Sequence, residues 1–254
     1  MIDLDEYCYK YELHLHTNQA SACAKRPGAE MARACKEAGY DGIVVTDHAW
    51  GGNTSVDRSL PWREWVFEFA EGYEDAKRWG DENGLLVMFG YESGYRGTEF
   101  LVFGTTPDFL ADHPELRTAD IPEQYRIIHE GGGVVIQAHP FRKEDYIPEV
   151  RLFPKDVDGA ETVNATHSSH LSRSHNIHEW DTMAIAYARE NSLIMTAGSD
   201  IHDIPLLGGG ILSKEKLKSS EDLCNLLLSD RMYLLSDGDR IYDRYGNLLK
   251  DYIE

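Results

Sequence analysis

The sequence predicts an α/β fold in which repeated strand-then-helix units build a parallel sheet closed into a barrel, as one domain over residues 1–254. Three observations lead there. Short apolar runs alternate with stretches of helical period, the pattern of parallel α/β architecture. Side chains suited to metal binding stand at or just after those runs, where parallel barrels carry their chemistry. The length, 254 residues at 42% hydrophobic, suits one core of barrel size, and no internal repeat divides it.

Tyr11 to Thr17 alternates apolar and polar residues, a strand that ends in His14-Leu15-His16. Residues two apart on a strand point the same way, so both imidazoles emerge together. Pro27-Gly28-Ala29-Glu30 opens a helix through Met31, Ala34, Cys35 and Ala38, which Gly39 closes. Gly42 to Thr46 is a short β-branched strand that delivers Asp47-His48. After a loop at Gly51 to Ser55, Trp62, Trp65, Val66, Phe69, Tyr73 and Ala76 fall at helical spacing, an aromatic stripe that reads as core.

Leu85 to Phe89 is the next strand, ending in Gly90-Tyr91-Glu92, and Glu99 to Gly104 another. A helix from about Pro122 to His129 leads through Gly131-Gly132-Gly133 into the strand Val134 to Ala138, capped by His139-Pro140. Gly159 to Asn164 is a strand, followed by a histidine-rich loop and a helix from about Glu179 to Asn191. Leu193 to Ala197 then leads into Gly198-Ser199-Asp200-Ile201-His202. A helix at Glu221 to Leu228 and a strand at Met232 to Leu235 precede a polar tail, residues 238–254.

No apolar run is long enough to span a bilayer, and Met1 to Glu6 lacks the basic and apolar parts of a signal peptide. Cys8, Cys23, Cys35 and Cys224 form no CxxC pair, which suits a reducing compartment. A cytoplasmic protein without a membrane partner is therefore expected. The formal charge of −19 repels polyanions, so no extended nucleic-acid surface is expected, whereas a small phosphorylated substrate in a local cationic pocket is compatible.

His14, His16, His48, Glu92, His139, Asp200 and His202 all stand at or just past predicted strand ends. Imidazole and carboxylate are ligands for zinc, manganese and iron, and a carboxylate can bridge two ions. One ion does not need seven of them. A lone HxH or DxH is weak evidence, since most such pairs are surface or capping residues; the weight lies in their shared position after apolar runs.

In order and spacing, His14-Leu15-His16-Thr17, Thr46-Asp47-His48, Gly90-Tyr91-Glu92, Ala138-His139-Pro140 and Gly198-Ser199-Asp200-Ile201-His202 resemble the motifs of the polymerase and histidinol phosphatase (PHP) family. The resemblance spans about residues 11–237. It implies a distorted (β/α)7 TIM-like barrel, a site of two or three divalent ions (zinc, manganese or iron) and hydrolysis of phosphate esters. By this resemblance His14, His16, Glu92 and Asp200 hold a first ion, Glu92 bridges to a second that His139 also binds, and His48 and His202 hold a third. Two positions depart from the usual family pattern. Cys23 stands where relatives often carry histidine or aspartate, a variant the family also shows, and Glu99 where many carry histidine. Both are candidate ligands; the alternatives are an inert cysteine and a simple strand start.

A water bridging two cations has its pKa lowered to about 7, so the expected nucleophile is a metal-bound hydroxide, with no catalytic side chain beyond it. Phosphate also asks for cationic donors. Arg142 is the first choice for substrate binding, since the family frequently has arginine after the His139-Pro140 pair. In the donor-rich loop from Thr166 to His178, His167 and Arg173 are the other substrate-binding candidates, and the remaining histidines are expected to be exposed. Asp47 is expected to orient a neighbour, and Trp50 is either packed or a stacking platform for an aromatic leaving group. The expected function is a metal-dependent phosphatase acting on a small metabolite or nucleotide. Its rivals are a hydrolase of C–N bonds on the same scaffold and a non-catalytic, metal-stabilised binding or regulatory module.

Overall fold

The computed structural model describes residues 2–145, 147–205 and 208–253; Met1 and Glu254, the two ends of the expected domain, lie outside the described residues. β1 (Tyr9–Leu15), α1 (Gly28–Glu37) and β2 (Gly42–Val45) form a first strand–helix–strand unit, and α2 (Trp62–Phe69), α3 (Glu71–Asn83) and the long β3 (Leu86–Tyr95) extend it. β4 (Thr98–Phe103), α4 (Pro107–Asp112), α5 (Ile121–Glu130) and β5 (Val134–Gln137) follow. Next come β6 (Gly159–Asn164), the single-turn α6 (Ala165–Ser168), α7 (Glu179–Asn191) and β7 (Ile194–Gly198). The last stretch holds β8 (Gly210–Ser213), α8 (Ser220–Leu228), β9 (Leu234–Ser236), β10 (Arg240–Asp243) and β11 (Leu248–Asp251).

Among the described residues these strands form one sheet in the order β11-β10-β9-β8-β1-β2-β3-β4-β5-β6-β7. The trios β1-β2-β3 and β5-β6-β7 pair in parallel, as strands joined by long crossovers can, and among the described residues each crossover carries a helix except that from β5 to β6. The sheet curls until the segment after β7 meets β1: His16 N donates to Ile201 O at 2.9 Å and Ile201 N to His14 O at 3.2 Å. That contact puts the C-terminal ends of β1 and β7 on one rim. No helix among the described residues is long and apolar enough to cross a membrane.

The expected all-parallel sheet is corrected in two places. β4 runs antiparallel to both β3 and β5, because only Arg96 and Gly97, at φ 52° and 84°, connect it to β3. Two residues in the left-handed region make a tight hairpin, whereas a parallel crossover needs a dozen or more. β8 to β11 form an antiparallel ladder on the other flank of β1, so the expected polar tail is in fact a hairpin. Asp243 builds its turn by accepting from Tyr245 N and Asn247 N, and Gly246 supplies φ 77°.

The helical stripe from Trp62 to Ala76 is core, as its spacing predicts, but it is two helices meeting at Ala70. Trp65, Val66 and Phe69 are buried, and Trp62 stacks on Trp65 at 5.5 Å. α3 presses on the residues that follow β1 and β2. A Cβ at Gly72 would lie 2.0 Å from Thr17 Oγ1 and 2.9 Å from Asp47 Oδ2. Gly72→Ala is therefore expected to lower stability by about 1–3 kcal/mol, read as a fall in the urea midpoint at unchanged slope.

Candidate metal centre

Side chains from five strands meet at the rim of the curled sheet. β1 carries His14, and His16 follows its end; His48 follows β2, His139 follows β5, and Asp200 and His202 follow β7. Glu92, expected beyond a strand end, lies inside β3 instead, because β3 runs on to pair with β4 and sets Glu92 opposite Leu101. It is the middle of the cluster. Its Oε1 stands 3.2 Å from His139 Nε2 and 3.4 Å from His14 Nε2, and its Oε2 2.6 Å from His48 Nδ1 and 3.7 Å from His16 Nε2. Asp200 Oδ1 stands 3.2, 3.4 and 3.6 Å from ring nitrogens of His16, His14 and His202.

The backbone is bent to make this arrangement. His139 and Asp200 have φ of 27° and 56°, left-handed conformations that cost non-glycine residues roughly 1–3 kcal/mol and cluster at functional sites. Gly198 lets β7 approach β1, since a Cβ there would lie 2.6 Å from that of His14.

A shell of buried acceptors orients the imidazoles, and sequence reasoning missed most of it. Glu161 in β6 pairs with His14 Nδ1 at 2.9 Å and accepts from His139 N and Asn164 Nδ2. Glu12 in β1 accepts from the backbone N–H groups of His14 and Ser199, and burial pushes its carboxyl up to about 7 against those donors. Both are carboxylates in strands with polar residues at neighbouring positions, which give no local signal of burial; the structure buries them where partners compensate the charge.

Asp47 accepts at 2.6 Å from each of Thr17 N, Thr17 Oγ1 and Ser21 Oγ. Ser21 spends its one proton on Asp47, so it accepts from His48 N at 3.0 Å and from His16 Nδ1 at 3.1 Å. His16 Nε2 is thereby left with its lone pair, turned toward Asp200 and Glu92. Asp47 thus orients two histidines through one hydroxyl.

Burial, with His202 and His48 alongside, pushes the His16 pKa well below the ordinary histidine value, so that ring is neutral. Burial also opposes charge on His14, yet Asp200, Glu161 and Glu92 overcome it and hold its pKa well above the ordinary value. Three carboxylates there call for positive charge, which a metal ion would also supply. His14 Nε2, His16 Nε2, His48 Nδ1 and Glu92 Oε2 are all buried without a hydrogen-bond partner. The close approach of the last two lacks hydrogen-bond geometry. Such orphans cost about 1–3 kcal/mol each.

Among the described residues, ligand atoms lie within 4.8 Å of one another in four overlapping groups: His14, His16 and Glu92; His14, His139 and Asp200; His16, His48 and His202; His48, Glu92 and Glu99. Imidazole nitrogens mixed with carboxylate oxygens fit a divalent transition ion. Glu99, at the head of β4, joins the cluster at 3.6 Å from His48 Nδ1 and 3.7 Å from His139 Nε2. Cys23 belongs to none of the four groups. It lines the open side, where burial pushes its thiol up but His202 and His48 bring it down to about 6.

A cleft of about 1110 Å³ opens over the cluster and is lined by His48, Glu99, Arg142, Arg173, Asp200 and His202 among others. Arg142 is buried and Arg173 exposed. His170 and His178 are exposed and His175 half-buried, whereas His167 is buried beside Trp180. Trp50 packs edge-on against Trp62 and Trp65 and touches Tyr91, so it is part of the core and not a stacking platform.

No protein-family model and no curated protein matches the sequence. Solved structures match at low identity. A two-domain protein from Bacteroides vulgatus ATCC 8482, described as containing a predicted PHP-like metal-dependent phosphoesterase, matches with TM-score 0.64 and 15% identity over 90% of this chain and 64% of that one. PsfC from Pseudomonas syringae PB-5123 matches with TM-score 0.58 and 15% identity over 95% of this chain and 91% of that one. Endonuclease Q, solved with a 27-mer duplex substrate bearing an abasic lesion, matches with TM-score 0.52 and 14% identity over 88% of this chain and 57% of that one. The chain thus spans less than two thirds of the first and third of these proteins. Its fold is the one found in structures of PHP-like metal-dependent phosphoesterases.

Proposed function

We propose that this protein is a PHP-type phosphoesterase that hydrolyses a phosphate ester of a small metabolite or nucleotide at a centre of two or three divalent ions. The observation that carries this reading is the set of buried, unpartnered atoms on His14, His16, His48 and Glu92, which converge beneath an open cleft. The likeness in fold to PHP-like phosphoesterase structures supports the reaction class. In this reading β1 to β7 correspond to the family's distorted (β/α)7 barrel, with the Leu15–Ile201 bridge at its seam.

Divalent cations, if held there, would supply Lewis acidity, which lowers the pKa of a water and draws charge from phosphoryl oxygens. The protein's own part is orientation. His14 and His16 direct their Nδ1 atoms to Glu161 and Ser21, and so aim their Nε2 atoms inward. Glu92 faces His14 and His139 with one oxygen and His48 with the other, the position of a bridging carboxylate. With Asp200 it would complete the ligands of a first ion, His139 and Glu99 would serve a second, and His48 and His202 a third, with Cys23 lining the cleft beside them. Arg142 and Arg173, both facing the cleft, are the donors for a phosphoryl group, with His167 behind Arg142. The charge of −19 favours a small substrate over a duplex such as Endonuclease Q was solved with.

Elemental analysis of the purified protein, paired with phosphate release from a panel of esters under added manganese, zinc or iron, tests this. Two or three ions per chain are expected, with turnover abolished by a chelator and restored by at least one of the metals. Turnover that survives chelation, or tightly held metal with no release from any ester, would overturn the reading.

A further inference from the structure

We propose that Asp181 and His167 form a positioning relay that fixes the Arg142 guanidinium beside Asp200, so that Arg142 meets an oxyanion in the cleft already oriented. This rests on the reading that the cleft takes a phosphoryl group. The relay joins four separate parts of the chain: the loop after β5, α6, α7 and the segment after β7.

Its direction follows from what each atom can do. Arg142 Nε donates to His167 Nε2 at 3.0 Å, and Arg142 Nη2 to Asp200 Oδ2 at 2.5 Å. Guanidinium nitrogens never accept, so His167 Nε2 carries a lone pair and the ring proton sits on Nδ1. That proton points at Asp181 Oδ1, 2.8 Å away. Asp181 is held in turn by Asn164 N, which donates to its Oδ2 at 3.1 Å, and Trp180 packs edge-on to the imidazole at 5.0 Å. Arg142, His167 and Asp181 are 5%, 1% and 3% exposed, so none of these partners is exchanged with bulk water.

This geometry excludes the other roles open to a buried histidine near a metal cluster. Both ring nitrogens are engaged, one by Arg142 and one by Asp181, so His167 neither ligates an ion nor shuttles a proton. What remains is to fix rotation of the guanidinium plane. Asp200 holds one edge; with Nε also tied, the group is preorganised, and oriented donors stabilise developing charge without reorganising. Asp181 makes the arrangement unique by selecting the Nδ1–H tautomer. The other tautomer would set an N–H against the Arg142 N–H.

The test is a double-mutant cycle read by calorimetric titration of the manganese-loaded protein with inorganic phosphate. His167→Phe, which keeps the ring but removes the acceptor, is expected to weaken phosphate binding about tenfold, while His167→Gln, which keeps an acceptor, restores most of it. On an Arg142→Ala background His167→Phe is expected to cost nothing further. Multiplying losses, or a His167→Phe protein that binds phosphate as tightly as the parent, would overturn the relay, as would a parent that binds no phosphate. Should His167→Phe fail to fold, Asp181→Asn takes its place in the same cycle with the same expectation. Coupled phosphate binding without ester turnover would sink the hydrolytic reading alone; turnover with uncoupled binding would sink the relay alone.

Discussion

Asp200→Asn is expected to lower kcat for phosphate release by about a thousandfold or more, since several kcal/mol of charge stabilisation rest on it, while the protein stays folded. The wild-type carboxylate does two things at once. Oδ1 faces ring nitrogens of His14, His16 and His202, and Oδ2 takes Arg142. Burial opposes its ionisation, but His14 and Arg142 hold its pKa well below the carboxylate range, so an anion is what the neighbours are built around. An asparagine keeps the shape and one oxygen. It can present that oxygen to Arg142 or to the imidazoles, not to both, and it brings no charge to offset a cation. The check is phosphate release at saturating metal, alongside circular dichroism and a urea titration. Activity within tenfold of the parent would mean that Asp200 stands outside the reacting centre.

Glu92→Gln carries the second large expectation: loss of at least one bound ion per chain, together with a fall in turnover of about a thousandfold. Glu92 lies within 3.7 Å of four imidazoles, those of His14, His16, His48 and His139. His48 and His14 hold its pKa well down despite complete burial. Glutamine would replace one oxygen with an N–H₂ that cannot ligate an ion, and would remove the charge that offsets cations on both halves of the cluster. Plasma emission analysis of the purified variant reads the ion count directly. A full complement of metal in Glu92→Gln would remove the bridging role.

Much of the scaffold was legible because apolar runs announce strands and the residues after them announce a rim. Tyr11 to Thr17, Gly42 to Thr46 and Val134 to Ala138 each overlap a real strand followed by a histidine of the cluster. Strand direction was not legible, since period-two alternation is the same up or down; the Arg96-Gly97 turn held that information and passed unread. The break at Ala70 was hidden because the helical spacing continues across it. The orienting carboxylates were hidden for a different reason. Glu161 gains its meaning from His14, 147 residues away, and Asp181 from His167, whose own partner is Arg142. Patterns within a window report local structure, and these contacts exist only once the sheet has curled.

The Leu15–Ile201 bridge has a consequence for how the protein is made. Glu12 and Ser199, which tie the same seam, are 187 positions apart. On the ribosome, His14, His16 and His48 emerge long before Asp200 exists, so a nascent chain offers only a partial, nitrogen-rich grip on any ion it meets. An ion held by the full set would therefore wait until translation has passed Asp200, and it would then lock the segment of His14 and His16 to one made much later.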